Sequence, residues 1–183
     1  MLMDRETSLL LIVDVQEKLA ASILDIDPLV AVVDRLIDVA DLLNVPVCAS
    51  EHFPAAIGAT LAPLREKLRN ERVVQKVHFS AALEDDFQAL MKHLQPKQIL
   101  VCGTEAHVCV LQTVLMLQAQ GFDTFLITDA SSSRHASDRD AAFQRAARQG
   151  VQLVTSEMVM FEWMQRADIP EFREVLRLIK SRA

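Results

Sequence analysis

The chain has 183 residues and carries 19 Lys+Arg against 25 Asp+Glu, a formal net charge of −6 with histidine neutral. That balance argues against a nucleic-acid binder, whose phosphate contacts require a basic surface. Apolar residues make up 51% and charged ones 24%, enough to fill the core of one domain over residues 1–183 and too apolar for a disordered chain.

No apolar run reaches the roughly 18 residues needed to cross a bilayer. Met1 to Thr7 lacks the basic and then apolar stretch of a secretory signal, so the expected compartment is cytoplasmic. Cys48, Cys102 and Cys109 show no CxxC spacing and fit reduced thiols. The four glycines form neither GxGxxG nor GxxxxGK[ST], which excludes dinucleotide and P-loop sites.

Leu9 to Val13 is a continuous apolar run ending at Asp14, the pattern of a strand buried on both faces of a parallel sheet. Leu29, Val32, Val33, Leu36, Ile37, Ala40 and Leu43 then predict a helix over about 28–43, opened by Pro28 and stopped at Asn44. Further strands are predicted at 46–49, 73–77, 98–102, 124–128 and 151–154, with helices between them over about 60–69, 83–94, 107–120 and 138–149. Gly121 and Gly150 stand just after helices, where C-cap glycines belong. Phe161 and Trp163 follow the last strand as core or interface residues, and a final helix near 171–181 follows Pro170. Strand alternating with helix implies a three-layer α/β sandwich, Rossmann-like, with a six-stranded mostly parallel sheet and right-handed crossovers. Ligands of such sheets bind outside the carboxyl ends of the strands, next to the loops at 50–60 and 129–139.

Those strand ends bring a carboxylate, an ammonium and a thiol to one edge: Asp14, Lys76 and Cys109. Cys109 is expected near the start of the 107–120 helix, where the dipole favours a thiolate and lowers its pKa. Asp14 is placed to take the thiol proton and later activate water, with Lys76 holding that carboxylate and offsetting charge on a tetrahedral oxyanion. Each residue also has a plainer reading: Asp14 as a cap or loop hydrogen-bonding group, Lys76 as an edge-strand lysine, Cys109 as a core thiol like Cys48 and Cys102. Their joint appearance at one sheet edge favours chemistry.

These segments resemble the isochorismatase-like cysteine hydrolases, a superfamily that includes nicotinamidases and N-carbamoylsarcosine amidohydrolases. The likeness is carried by Leu11-Ile12-Val13-Asp14-Val15-Gln16, Gln75-Lys76-Val77-His78-Phe79-Ser80, Cys102-Gly103-Thr104-Glu105-Ala106-His107-Val108-Cys109-Val110, Thr128 to Arg134 and Thr155-Ser156-Glu157. It is nearest to the isochorismatase-domain-containing branch of undefined substrate. The resemblance implies that fold, a triad of Asp14, Lys76 and Cys109, a cis peptide between Thr104 and Glu105, and an oxyanion hole from the Glu105 and Cys109 N–H groups. Gln16, His52, Phe53, His78, Phe79 and Arg134 are the candidate substrate contacts, Arg134 for an anionic group or as a solvated loop arginine.

Two departures bear on substrate. Nicotinamidases carry an Asp-x-His metal motif where this chain reads Ser50-Glu51-His52, and adjacent residues of an extended chain point oppositely, so no metal is expected. Ala106 stands where many relatives have Thr. Isochorismatase proper lacks the nucleophilic cysteine, so Cys109 points to acyl chemistry at a C–N bond. The resemblance thus implies a cysteine amidohydrolase of a small-molecule amide or ureide, cofactor-free and assembled as a homo-oligomer. The alternatives are a binding or scaffold protein keeping the pocket without turnover, and a redox-reactive thiol.

Overall fold

Leu9, Leu10, Leu11, Ile12 and Val13 are all sealed from solvent because β1 (Ser8–Val13) runs through the middle of a sheet with helices on both faces. In this computed structural model residues 1–181 are described, so the last two residues of the expected 1–183 span lie outside the described residues. The strands β1, β2 (Val47–His52), β3 (Val73–Lys76), β4 (Gln98–Gly103), β5 (Asp123–Ser131) and β6 (Gln152–Val154) pair in parallel, in the order β3-β2-β1-β4-β5-β6. The helices are α1 (Glu17–Ala20), α2 (Ile26–Leu42), α3 (Pro54–Ile57), α4 (Ala62–Arg65), α5 (Asp85–Leu94), α6 (Leu111–Ala119), α7 (Ala136–Arg148), α8 (Ser156–Met164) and α9 (Phe172–Lys180). The expected three-layer α/β arrangement is therefore present.

Alternation along β1 assigns the layers. Leu10 and Ile12 pack with α2, α8 and α9, through residues such as Leu36, Met160 and Val175. Leu9, Leu11 and Val13 face α5, α6 and α7, through Phe87, Val114 and Ala146. None of the described helices is long and apolar enough to cross a membrane.

Several elements differ from the sequence expectation. β2 does not end at residue 49 but runs on through Ser50, Glu51 and His52, and β5 continues to Ser131. The helix expected over 60–69 shrinks to α4, because from Lys67 onward the N–H groups bond three residues back, to Leu64 and then Arg65. The helix expected over 107–120 begins at Leu111, after a widened turn over Ala106–Val110. α8 is an addition: Val159, Met160, Trp163 and Met164 are buried while Met158 and Phe161 are exposed, so apolar residues surround it and no stripe marks it. Its start is nonetheless signalled by Thr155, whose hydroxyl accepts the Met158 N–H at 3.4 Å.

Candidate active site

β1 and β3 flank β2, so Asp14, just past Val13, and Lys76, at the end of β3, reach toward each other above it. Lys76 Nζ lies 2.7 Å from Asp14 Oδ2, and both side chains are sealed from solvent. Ser50, on the β2 face between them, donates its hydroxyl to Asp14 Oδ1 at 2.7 Å. Lys76 also donates to the carbonyls of His78 (3.2 Å) and Phe79 (2.9 Å), a satisfied geometry for a buried ammonium. The segment that carries those carbonyls is anchored by Glu84, whose Oε1 accepts the N–H groups of Val77 (2.9 Å) and His78 (3.0 Å) and meets His78 Nδ1 at 2.9 Å. Burial acts to raise the Glu84 carboxyl, but the bonds from His78 and Val77 outweigh it and hold the group below its usual range.

Cys109 sits in the widened turn ahead of α6, only 7% exposed, near enough to Asp14 and Lys76 for both to act electrostatically on its thiol. The turn is defined by the Glu105 carbonyl, which accepts from Val108 (3.0 Å) and Val110 (3.2 Å). The peptide between Thr104 and Glu105 is cis, and the Thr104 hydroxyl donates to the Asp14 carbonyl at 2.7 Å. Gly103 beneath it has φ +127°, and a Cβ there would lie 2.0 Å from the Val13 carbonyl oxygen, so only glycine lets β4 approach β1 at this point.

The chain after β5 straps the Cys109 turn in place. Ala106 N–H donates to the Ser132 carbonyl (2.8 Å), Ser132 N–H to Gly103 (3.2 Å), and His107 N–H to Ser133 Oγ (3.3 Å), which also meets His107 Nδ1 at 2.9 Å. Arg134 Nε completes the strap, donating to Glu105 Oε2 at 2.8 Å.

The thiol is less acidic than its position before a helix leads one to expect. Burial first, and the Asp14 carboxylate second, push Cys109 up to about 12 against the pull of Lys76. Burial likewise raises the Asp14 carboxyl, opposed by Lys76 and by bonds from Lys76, Ser50 and Cys109. Burial thus acts on both groups in the same direction, while the Lys76 ammonium favours the charged form of each.

The other candidate residues fall into two groups. His52 and Phe79 form one wall, their ring centroids 5.3 Å apart, with Phe53 exposed beside them. Gln16, by contrast, does not present its amide to a ligand: Nε2 donates to the carbonyls of His52 (3.1 Å) and Gly58 (2.6 Å), and Oε1 accepts the His52 N–H (2.7 Å). It is a buried brace for the wall. His78 stands outside against Glu84, and Arg134 is joined to Glu105. Glu51 points to the opposite face and accepts from the Thr60 N–H and hydroxyl, both at 2.9 Å. Among the described residues no cluster of three or more His, Cys, Asp or Glu is arranged to hold a metal. Sequence reasoning missed Ser50 and Glu84, although Ser50 lies two residues from Cys48 and so shares its face. A groove of about 490 Å³ lined by Phe53, Pro54, Gln75, Lys76, Val77 and Glu84 runs beside the site.

Residues 8–158 match the Isochorismatase domain family. The chain is 36% identical over 179 residues to isochorismatase domain-containing protein 2 of Homo sapiens, covering 97% of this chain and 85% of that protein. It is 32% identical over 177 residues to isochorismatase domain-containing protein 1 of Danio rerio, covering 97% of this chain but only 62% of that longer protein. Among solved structures, the MAR1 ribonuclease from Caenorhabditis elegans superimposes with a TM-score of 0.93 at 33% identity, over 99% of this chain and 93% of that one. YcaC from Pseudomonas aeruginosa, solved with hexane-2,5-diol and covalent acrylamide, gives 0.88 at 27% identity, over 98% and 96%. With the domain family matched over most of its length and a relative 36% identical across 97% of it, the chain belongs to the isochorismatase family of hydrolase-like proteins.

Proposed function

We propose that the protein is a cysteine-dependent amidohydrolase that cleaves the C–N bond of a small amide or ureide. The reading is carried by one observation, the contact of Cys109 with the buried Asp14–Lys76 pair. Asp14 takes the thiol proton as Sγ bonds to the carbonyl carbon, and the oxyanion is met by the N–H groups of Glu105 and Cys109. Collapse breaks the C–N bond, and the amine leaves with the proton from Asp14. A water that gives a proton to Asp14 then attacks the thioester, and Sγ leaves and recovers that proton as the acid departs. The covalent acrylamide on the Pseudomonas aeruginosa relative is in keeping with a reactive nucleophile in this fold, since acrylamide is an acceptor for thiolates. The ribonuclease in the name of the Caenorhabditis elegans relative is not carried over: this chain has a net charge of −6, and Lys76 and Arg134 each face a carboxylate.

The test is mass spectrometry of acid-quenched reactions with a panel of small amides. An acyl adduct on Cys109, with turnover reduced by about 10³-fold or more in Cys109→Ala, supports the reading. Turnover that persists in Cys109→Ala overturns it, and ligand-dependent stabilisation without any product puts a binding protein in its place. A homo-oligomer is part of the proposal, supported by the exposed Val77 and Leu83 near the site. Light scattering that returns the monomer mass removes that part. The free thiols of Cys48, Cys102 and Cys109 accord with a reducing, cytoplasmic setting.

A further inference from the structure

We infer that the site selects uncharged acyl compounds over carboxylate-bearing ones, and that the His52 ring supplies the hydrogen bond that reads them. The inference rests on the amidohydrolase reading and narrows its substrate class. Its first ground is charge. Lys76 is paired with Asp14 at 2.7 Å and Arg134 with Glu105 at 2.8 Å, while the Lys18 ammonium donates to the Ala56 carbonyl at 2.7 Å. A substrate carboxylate entering beside Cys109 meets Asp14, which has to be ionised to act, and finds each of these cations already engaged. An anion taken out of water without a compensating cation is strongly disfavoured, whereas an amide has little charge to desolvate.

The second ground is the state of His52. It follows Cys48 and Ser50 at two-residue steps, so its side chain belongs to the same face of β2 as the Ser50 hydroxyl that touches Asp14. Its backbone is gripped at both polar groups by Gln16, at 2.7 Å and 3.1 Å, and its ring rests against Phe79. Yet Nδ1 is shielded from solvent and has no hydrogen-bond partner among the described residues. Buried polar atoms are rarely left in this condition. A neutral imidazole nitrogen gives or takes one hydrogen bond, which matches the N–H or C=O of an amide, and the exposed faces of Phe53 and Phe79 suit an uncharged substituent.

Iodoacetamide and iodoacetate share a reacting carbon and a leaving group and differ only in amide against carboxylate, so they serve as probes. Alkylation rates at Cys109 are read by peptide mass spectrometry at pH 8, where ordinary imidazoles are neutral, each divided by the rate with N-acetylcysteine. The expected result is a normalised preference for iodoacetamide of about tenfold or more, reduced several-fold in His52→Phe and largely retained in His52→Asn, whose amide replaces Nδ1. Equal normalised rates, or a preference for iodoacetate, overturn the proposal. So does failure of both reagents to label Cys109, because a site open to small amides admits iodoacetamide. A preference unchanged in His52→Phe overturns the role of His52. Should His52→Phe not fold, by circular dichroism, the wild-type ratio and His52→Asn decide. Alkylation needs no turnover, so loss of the amidohydrolase reading leaves a different record: the preference persists while no amide is hydrolysed.

Discussion

At the scale of single residues, the arrangement makes Asp14 raise the very thiol that the proposed mechanism has it deprotonate. Removing its charge in Asp14→Asn leaves Lys76 beside Cys109, so the thiol falls from its elevated value near 12 while turnover drops by roughly 10²–10⁴. The pH profile of iodoacetamide labelling at Cys109 checks this, and a thiol that moves upward contradicts it. Lys76→Met has a different signature, because it strands a buried carboxylate. The cost is roughly 3–5 kcal/mol near neutral pH. The sign of its pH dependence follows from the raised Asp14 carboxyl: the folded state then binds the proton more tightly than the unfolded one, so stability returns as pH falls through that group and is lost as pH rises. Urea midpoints at pH 5 and pH 8 measure it. The proximity of Asp14 and Lys76 was legible in the sequence because one follows a strand and the other ends one, whereas Cys109 arrives from a turn beyond β4. The acidity of Cys109 was not, since the helix start is written in the local sequence while burial and the facing carboxylate arise only on folding.

At the scale of elements, the close approach of β1 and β4 sets the Cys109 turn against Asp14. Gly103→Ala drives a methyl group into the Val13 backbone, which has no side-chain freedom with which to yield, so a loss of roughly 3 kcal/mol or more is expected. Gly121 also has a positive φ, of +91°, but a Cβ there meets nothing within 4 Å, so Gly121→Ala costs about 1–2 kcal/mol, from the backbone alone. Paired urea titrations distinguish the two. Strands and amphipathic helices were legible through their periods, whereas α8 was not, because burial on several sides erases the period. The extension of β2 to His52 rests on the pairing of Glu51 and His52 with Gln75 and Lys76 of β3, with the Gln16 amide, thirty-six residues earlier in the chain, bonding the His52 backbone, and no local pattern carries that information.

At the scale of the whole molecule, Trp163 joins the late helix α8 to the first strand: it is fully buried, and its indole N–H donates to Ser8 Oγ at 3.1 Å. The chain contains one tryptophan and no tyrosine, so intrinsic fluorescence reports this junction alone. Native emission is expected to be blue-shifted and to move to the red in one transition coincident with the loss of helical circular dichroism. An earlier fluorescence transition indicates instead that α8 detaches first. Trp163→Ala costs roughly 3–5 kcal/mol by the same urea assay.

The bracing of the β2–α4 connection carries a consequence for how specificity can change. Gln16 holds its entry at His52 and reaches Gly58, Glu17 N–H bonds the Ala59 carbonyl at 3.0 Å, and Leu61 N–H bonds the Val15 carbonyl at 2.9 Å. Both stems of residues 53–58 are therefore moored to the segment that also carries Asp14, and the tip between them behaves as a replaceable cassette. Under the proposed mechanism, substitutions there redraw the mouth of the pocket while Asp14 keeps its position, so a change of substrate would not require rebuilding the chemistry.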